Sequence, residues 1–156
     1  MITSMIRASL AVCTVACTLF TLTLAAPARA NDEDVREYRE HIMKSLNAQA
    51  AILGQIVSTA VPPDNLQAHL DTIALLASTA LPAFEPKVPG GEAKPEVWSQ
   101  WPDFSKRMRE FAEKTAAAAK LGHTASPEEA LSNMLDVMEC KGCHEVYRNE
   151  KKGKKP

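Results

Sequence analysis

The stretch "MECKGCHEVYRNE", from Met138 to Glu150, holds Cys140 and Cys143 three apart, His144 directly after, and Arg148 four residues further on. Read as a helix, it places Cys140, Cys143 and His144 at i, i+3 and i+4, so all three side chains leave one face. Three chemistries use such a set: a metal site, a dithiol, and covalent attachment of a haem. Structural zinc needs four ligands, and adjacent Cys143 and His144 do not easily aim at one ion. His41, His69 and His123 are scattered along the chain. A reactive dithiol needs its first cysteine at a helix N-terminus after a strand, where the dipole lowers the thiol pKa. Here the periodicity predicts cysteines deep inside a last helix with no strand before it. Haem fits best: two thiols at this spacing can each bond a vinyl carbon, and the following imidazole then lies under the iron.

Outward from the motif, the start of the chain bears on the same chemistry. "MITSMIR" is followed by the apolar "ASLAVCTVACTLFTLTLAA" and by "PARA", which ends in Ala28-Arg29-Ala30 before the charged "NDED". This is the layout of a secretory signal peptide over residues 1–30, with cleavage expected after Ala30. An uncleaved anchor fits the length of the run but not the small-x-small ending. A lipoprotein is disfavoured, because Cys13 and Cys17 sit too early in the run. Removing residues 1–30 takes Arg7 and Arg29 away, leaving 16 basic residues of 18 against 19 acidic ones, a net charge of −3. That balance excludes a nucleic-acid binder; the "KKGKK" tail reads as a solvated terminus. The mature chain keeps only Cys140 and Cys143, and in an oxidising compartment two such thiols are bridged, metal-bound or covalently used.

The rest of residues 31–156 reads as one helical domain. Helix A, about Asp32 to Thr59, carries Val35, Tyr38, Ile42, Leu46, Gln49, Leu53 and Ile56 at three- and four-residue steps. "VPPDN" breaks it, with Asp64 or Asn65 as the next cap. Helix B, about Asn65 to Leu81, turns Leu66, Leu70, Ile73, Leu76 or Ala77, and Ala80 inward. "PAFEPKVPGGEAKP", Pro82 to Pro95, is a crossover too rich in proline for regular structure. Helix C runs to about Leu121 with Trp101, Phe104, Met108, Phe111, Thr115 and Ala118 on one stripe. Pro102 demands either a kink or a short turn before the helix proper. Helix D starts at "SPEEA", with Ser126 as N-cap, Pro127 at the first helical position and Glu129 completing a capping box, and continues to about Glu150. The expected fold is all-α: an antiparallel four-helix bundle with the haem motif in the C-terminal helix.

No methionine follows His144, so a second axial ligand to the iron has to come from upstream. Met134 and Met138 share helix D with His144, and Met108 lies on the inner stripe of helix C, where packing is its ordinary role. Met43 sits one position off the stripe of helix A, four residues after Arg39. An arginine near the core edge favours an anion, and a haem propionate is one. A plain core methionine and a solvated arginine account for the same two positions.

Taken together, these segments resemble the class II cytochromes c, the cytochrome c′ and cytochrome c-556 family. "YREHIMKSL" (Tyr38 to Leu46) is similar to the family's Arg-x-x-x-[Met/Leu] segment, and "KPEVW" (Lys94 to Trp98) opens helix C as in many members. "CKGCHEVYR" (Cys140 to Arg148) is similar to the C-x-x-C-H-x-x-[Tyr/Phe]-Arg ending. The chain departs from the pattern at Pro102, and at "DVME" before Cys140, where members often have a glycine. The resemblance implies one haem c held through two thioethers at Cys140 and Cys143. It implies His144 as proximal ligand, Arg39 at a propionate, Arg148 beside the proximal haem face, and Met43 facing the distal side of the iron. Where such a methionine coordinates, the family member is a six-coordinate electron carrier. Where it packs over an open position, the five-coordinate iron binds NO or CO.

The expected role is therefore one-electron transfer in the periplasm with redox partner proteins, and NO or CO binding is the alternative. Many members form homodimers through helices A and B, a point that the mixed outer face of helix A leaves open. No stable membrane anchor is expected after signal cleavage. Neither paired carboxylates, nor a nucleophile beside a base, nor a phosphate loop points to an enzyme.

Overall fold

The computed structural model describes residues 31–150; the signal-peptide reading of residues 1–30 and the basic tail lie outside them. Six helices follow in order: α1 (Asp32–Val57), α2 (Leu66–Ala80), α3 (Glu96–Ser99), α4 (Trp101–Gly122), α5 (Pro127–Val137) and α6 (Cys140–Tyr147). A 3-10 turn, Pro82–Phe84, stands at the start of the crossover. The bundle is built from α1, α2, α4 and the pair α5–α6, with α2 on α4, α4 on α5 and α1 on α2 as the main packings. Among the described residues no helix is long and apolar enough to cross a membrane.

Local chemistry explains most of the boundaries. Asn31 caps α1, its side chain accepting from the amides of Glu33 and Asp34, while the Asp34 carboxylate accepts from the Asn31 amide. At the other end Ala60 N–H donates to Gln55 O and Thr59 N–H to Ile56 O. This is a Schellman closure with Thr59 at φ 58° in the left-handed region, a costly place for a β-branched residue. Ser126 caps α5 by accepting from the Glu129 amide, with Pro127 in the first turn. Asn65 precedes α2 without a side-chain cap bond. Pro102 falls in the first turn of α4, so the separate α3 turn precedes the helix proper and no kink is needed.

The predicted stripes largely hold. Ile42, Leu46, Leu53 and Ile56 of α1, Leu66, Leu70, Ile73, Ala77 and Ala80 of α2, and Phe104, Met108 and Ala118 of α4 are buried together with Ala130 and Met134 of α5. Thr115 sits fully buried on the same stripe because its hydroxyl donates to Phe111 O at 2.8 Å. One position differs: Tyr38 is 54% exposed and the neighbouring Arg39 only 4%. The partners of Arg39 on the crossover decide that exchange.

The predicted last helix is also interrupted. Met138 (ψ 48°) and Glu139 (ψ 63°) leave helical geometry, so α5 ends at Val137 and a new helix starts at Cys140. Met138 N–H still closes back on Met134 O and Leu135 O, and Cys140 N–H turns onto Met138 O at 2.8 Å.

Candidate functional site

The motif occupies the eight-residue helix α6, whose only buried residue is Tyr147. Gly142 is its third residue and weakens it by up to about 1 kcal/mol relative to alanine. A helix this short does not persist alone in water, so contacts to other segments hold it. They come first from the crossover. Gly90 and Gly91, both at positive φ, turn the chain back on itself, and Ala93 then pairs with Arg148 as an isolated antiparallel bridge. Lys94 N–H donates to Tyr147 O at 2.9 Å, and Asn149 N–H to Glu92 O at 2.8 Å. The Lys94 ammonium donates to Glu145 O at 2.9 Å.

Aromatic packing makes the second connection. Phe84 of the crossover lies 5.0 Å from Phe104 of α4, and Phe104 meets the Tyr147 ring edge-on at 5.1 Å. The Tyr147 hydroxyl donates to Asp103 Oδ2 at 2.5 Å, and Arg107 Nε donates to the same oxygen at 2.7 Å. Burial, then the Asp103 hydrogen bond, pushes the Tyr147 phenol up to about 12. The same phenol, followed by Arg107, holds the Asp103 carboxyl below its usual range.

Cys140 and Cys143 are free thiols, and both share the α6 face with His144. Cys140, predicted far inside a helix, instead opens one. What disfavours dithiol exchange is instead the environment of the thiols. Burial pushes the Cys140 thiol up, and does the same at Cys143 against a smaller opposing pull from Arg107. A reactive dithiol needs the reverse shift. Burial, with Arg148 adding to it, lowers the His144 imidazole and favours its neutral form, the form that ligates a metal. Among the described residues no three His, Cys, Asp or Glu side chains group as a metal site. Two thiols beside an imidazole that favours its neutral form are the set that a covalently held haem requires.

On α1, Arg39 inserts its guanidinium between Phe84 (5.3 Å to the ring centre) and Trp98 (5.1 Å). Its Nη1 donates to Val88 O at 2.8 Å and its Nη2 lies 3.4 Å from Gly90 O. Burial lowers its pKa, and these two hydrogen bonds go to backbone carbonyls rather than to a carboxylate. Trp98 is held in turn by an Nε1–H bond to Phe84 O at 3.2 Å. Met43, one turn further along α1, is half-buried at the edge of the core. Arg148 ends α6 in extended conformation and pairs with Glu92, Nε at 2.7 Å and Nη2 at 2.5 Å. Residues 88–94 of the crossover thus gather Arg39 and Arg148 at the end of the bundle where α6 is tied down. Met134 is wholly buried and Met138 half-buried at the helix break, outside α6.

The family described as Cytochrome C′ matches residues 34–148. This chain belongs to the cytochrome c′ family. A cytochrome c′ of Alcaligenes xylosoxydans xylosoxydans is 30% identical over 127 residues, covering 78% of this chain and 98% of that protein. A cytochrome c′ of Rubrivivax gelatinosus is 33% identical over 88 residues, 53% of this chain and 67% of the relative. Solved structures agree in fold. A nitrosyl complex of a variant cytochrome c prime from Alcaligenes xylosoxidans superimposes with a TM-score of 0.71 at 24% identity, over 78% of this chain and 98% of that one. Cytochrome c prime from Shewanella frigidimarina gives 0.67 at 24% identity, over 77% and 98%. The class II assignment, the four-helix bundle and covalently attached haem c as cofactor all hold for this chain.

Three features of the cytochrome c′ site carried no assigned role in the sequence. Around Arg39, Phe84 was legible only as an aromatic residue near prolines, and Trp98 only as the end of the Lys94 to Trp98 segment. Glu92, the partner of Arg148, stood in a loop without pattern. Asp103 and Arg107 gave a usable signal, since their i, i+4 spacing marks an ion pair on α4, but nothing local tied it to Tyr147.

Proposed function

We propose that this protein is an exported monohaem cytochrome that transfers single electrons, with Cys140 and Cys143 as the thioether sites and His144 as proximal ligand. The observation that carries the proposal is the shared face of α6, which presents two thiols and a neutral-favouring imidazole beside each other. When bound, the haem supplies the one-electron Fe(III)/Fe(II) couple, and the protein sets its potential through ligation, burial and nearby charge. Arg39 is the residue proposed for a propionate. A guanidinium this deeply buried, hydrogen-bonded only to carbonyls in the bonds it makes here, stabilises an anion brought beside it. Arg148 is proposed beside the proximal haem face, oriented by Glu92. Met43 is proposed on the distal side. The N-terminal layout supports export to the periplasm, where c-type haem attachment takes place. No catalytic role is proposed.

A second reading is diatomic gas binding at an open distal position. It is favoured by the similar solved cytochromes c prime, one a nitrosyl complex and another a carbon monoxide complex of a variant. The oxidised optical spectrum separates the two. A methionine-to-iron charge-transfer band in the far red, lost in Met43→Leu, supports a six-coordinate electron carrier. A broad high-spin Soret band that Met43→Leu leaves unchanged rejects Met43 ligation and favours gas binding. A pyridine haemochrome assay without covalent haem rejects both.

A further inference from the structure

Helix α6 buries one side chain, and that side chain is Tyr147. At about 100° per residue, Tyr147 lies roughly 40° around the helix axis from Cys143 and roughly 60° from His144 on the other side. Whatever fixes the azimuth of Tyr147 therefore fixes the direction in which the thioether sulfur and the imidazole point. The ring alone, set against Phe104, leaves a rotation about the ring axis and a slide along α4. The hydroxyl removes both. It donates to Asp103 Oδ2, and Arg107 Nε holds that same oxygen from one turn along α4. Arg107 also lies 6.0 Å over the Tyr147 ring. The backbone ties from Lys94 and Asn149 hold only the end of α6 beyond His144.

We propose that Asp103, with Arg107, is a positioning residue for the haem: through the Tyr147 hydroxyl it sets the rotation of α6 and hence the orientation of the His144 ring. The inference rests on His144 being the proximal ligand and deepens that reading. Asp103 touches neither haem nor ligand; it acts through Tyr147. Because two donors converge on one carboxylate oxygen, the acceptor has little freedom to follow a moving phenol, and the latch is stiff.

The test is the pattern of hyperfine-shifted haem-methyl proton resonances of the oxidised, haem-loaded protein, which reports the plane of the axial imidazole. Tyr147→Phe keeps the ring and removes the hydroxyl. Asp103→Ala keeps the phenol and removes its acceptor, at an exposed position of α4 where folding is preserved. Both are expected to shift the methyl pattern in the same sense. Asp103→Asn, which retains an oxygen acceptor, is expected to restore it. Wild-type methyl patterns in both Tyr147→Phe and Asp103→Ala, whatever happens to Tm, overturn the proposal. Failure of the underlying haem reading is distinguishable, since a chain without covalent haem shows no hyperfine-shifted lines at all.

Discussion

Helices α5 and α6 are neighbours in sequence and were expected as one helix, yet they are held by different physics. Helix α5 starts on its own signals, Ser126 and Pro127, and buries Ala130 and Met134 on the bundle core. Helix α6 has no side-chain cap, carries Gly142, and is fixed from outside by the crossover, by Phe104 and by Asp103. The difference separates two tasks. The segment that must keep the bundle shut is locally self-sufficient, and the segment bearing the proposed haem residues takes its position from partners far along the chain.

Four substitutions test that contrast. The largest effect belongs to α5: Met134→Ala removes a fully buried side chain and should cost about 3 kcal/mol of unfolding free energy. It should do so with the haem-methyl pattern intact. A loss under about 1 kcal/mol, measured by thermal unfolding at fixed pH, would show that α5 is not the packed partner described.

Next comes Tyr147→Phe on α6, with a loss of roughly 1–2 kcal/mol for the hydrogen bond. Its distinctive signature is in alkali. The folded phenol lies at about 12 against an ordinary 10.0, so the raised value contributes stability that is complete below pH 10.0. That contribution fades as pH rises toward about 12. A Tm-versus-pH curve should fall across that window in the wild type and lose that fall in Tyr147→Phe; parallel curves would contradict the assignment.

Ser126→Ala takes the cap from α5 and should cost about 1 kcal/mol. Visible-region spectra unchanged from wild type would keep its effect on the α5 side of the comparison. The smallest change is Arg148→Gln. The Arg148–Glu92 pair is partly solvent-exposed, so its loss should lower stability by no more than about 0.5 kcal/mol, and less in high salt. A larger, salt-insensitive loss would mean that the pair fastens α6 as strongly as Tyr147 does.

Much of this protein was legible because its determinants are short-range. Apolar residues three and four apart defined the inward faces of α1, α2 and α4, and Ser126-Pro127 marked the start of α5. The spacing of Cys140, Cys143 and His144 named the cofactor chemistry, since a single helical turn fixes those relations whatever surrounds them. The exchange of Tyr38 for Arg39 was hidden. An aromatic residue on a helical stripe reads as core, and the arginine goes inward only because Phe84, Trp98 and the carbonyls of Val88 and Gly90 meet it there.

The break at Met138–Glu139 was equally hidden, for neither residue is a helix breaker. Sequence alone thus settled the helical bundle and marked the proposed haem-binding turn, both written in neighbours a few positions apart. Tertiary structure decided which arginine is buried and how α6 is turned, through contacts 49 residues apart for Arg39 with Val88 and 44 for Tyr147 with Asp103. No local pattern encodes contacts at that separation; they exist only once the crossover and α4 have folded against α1 and α6.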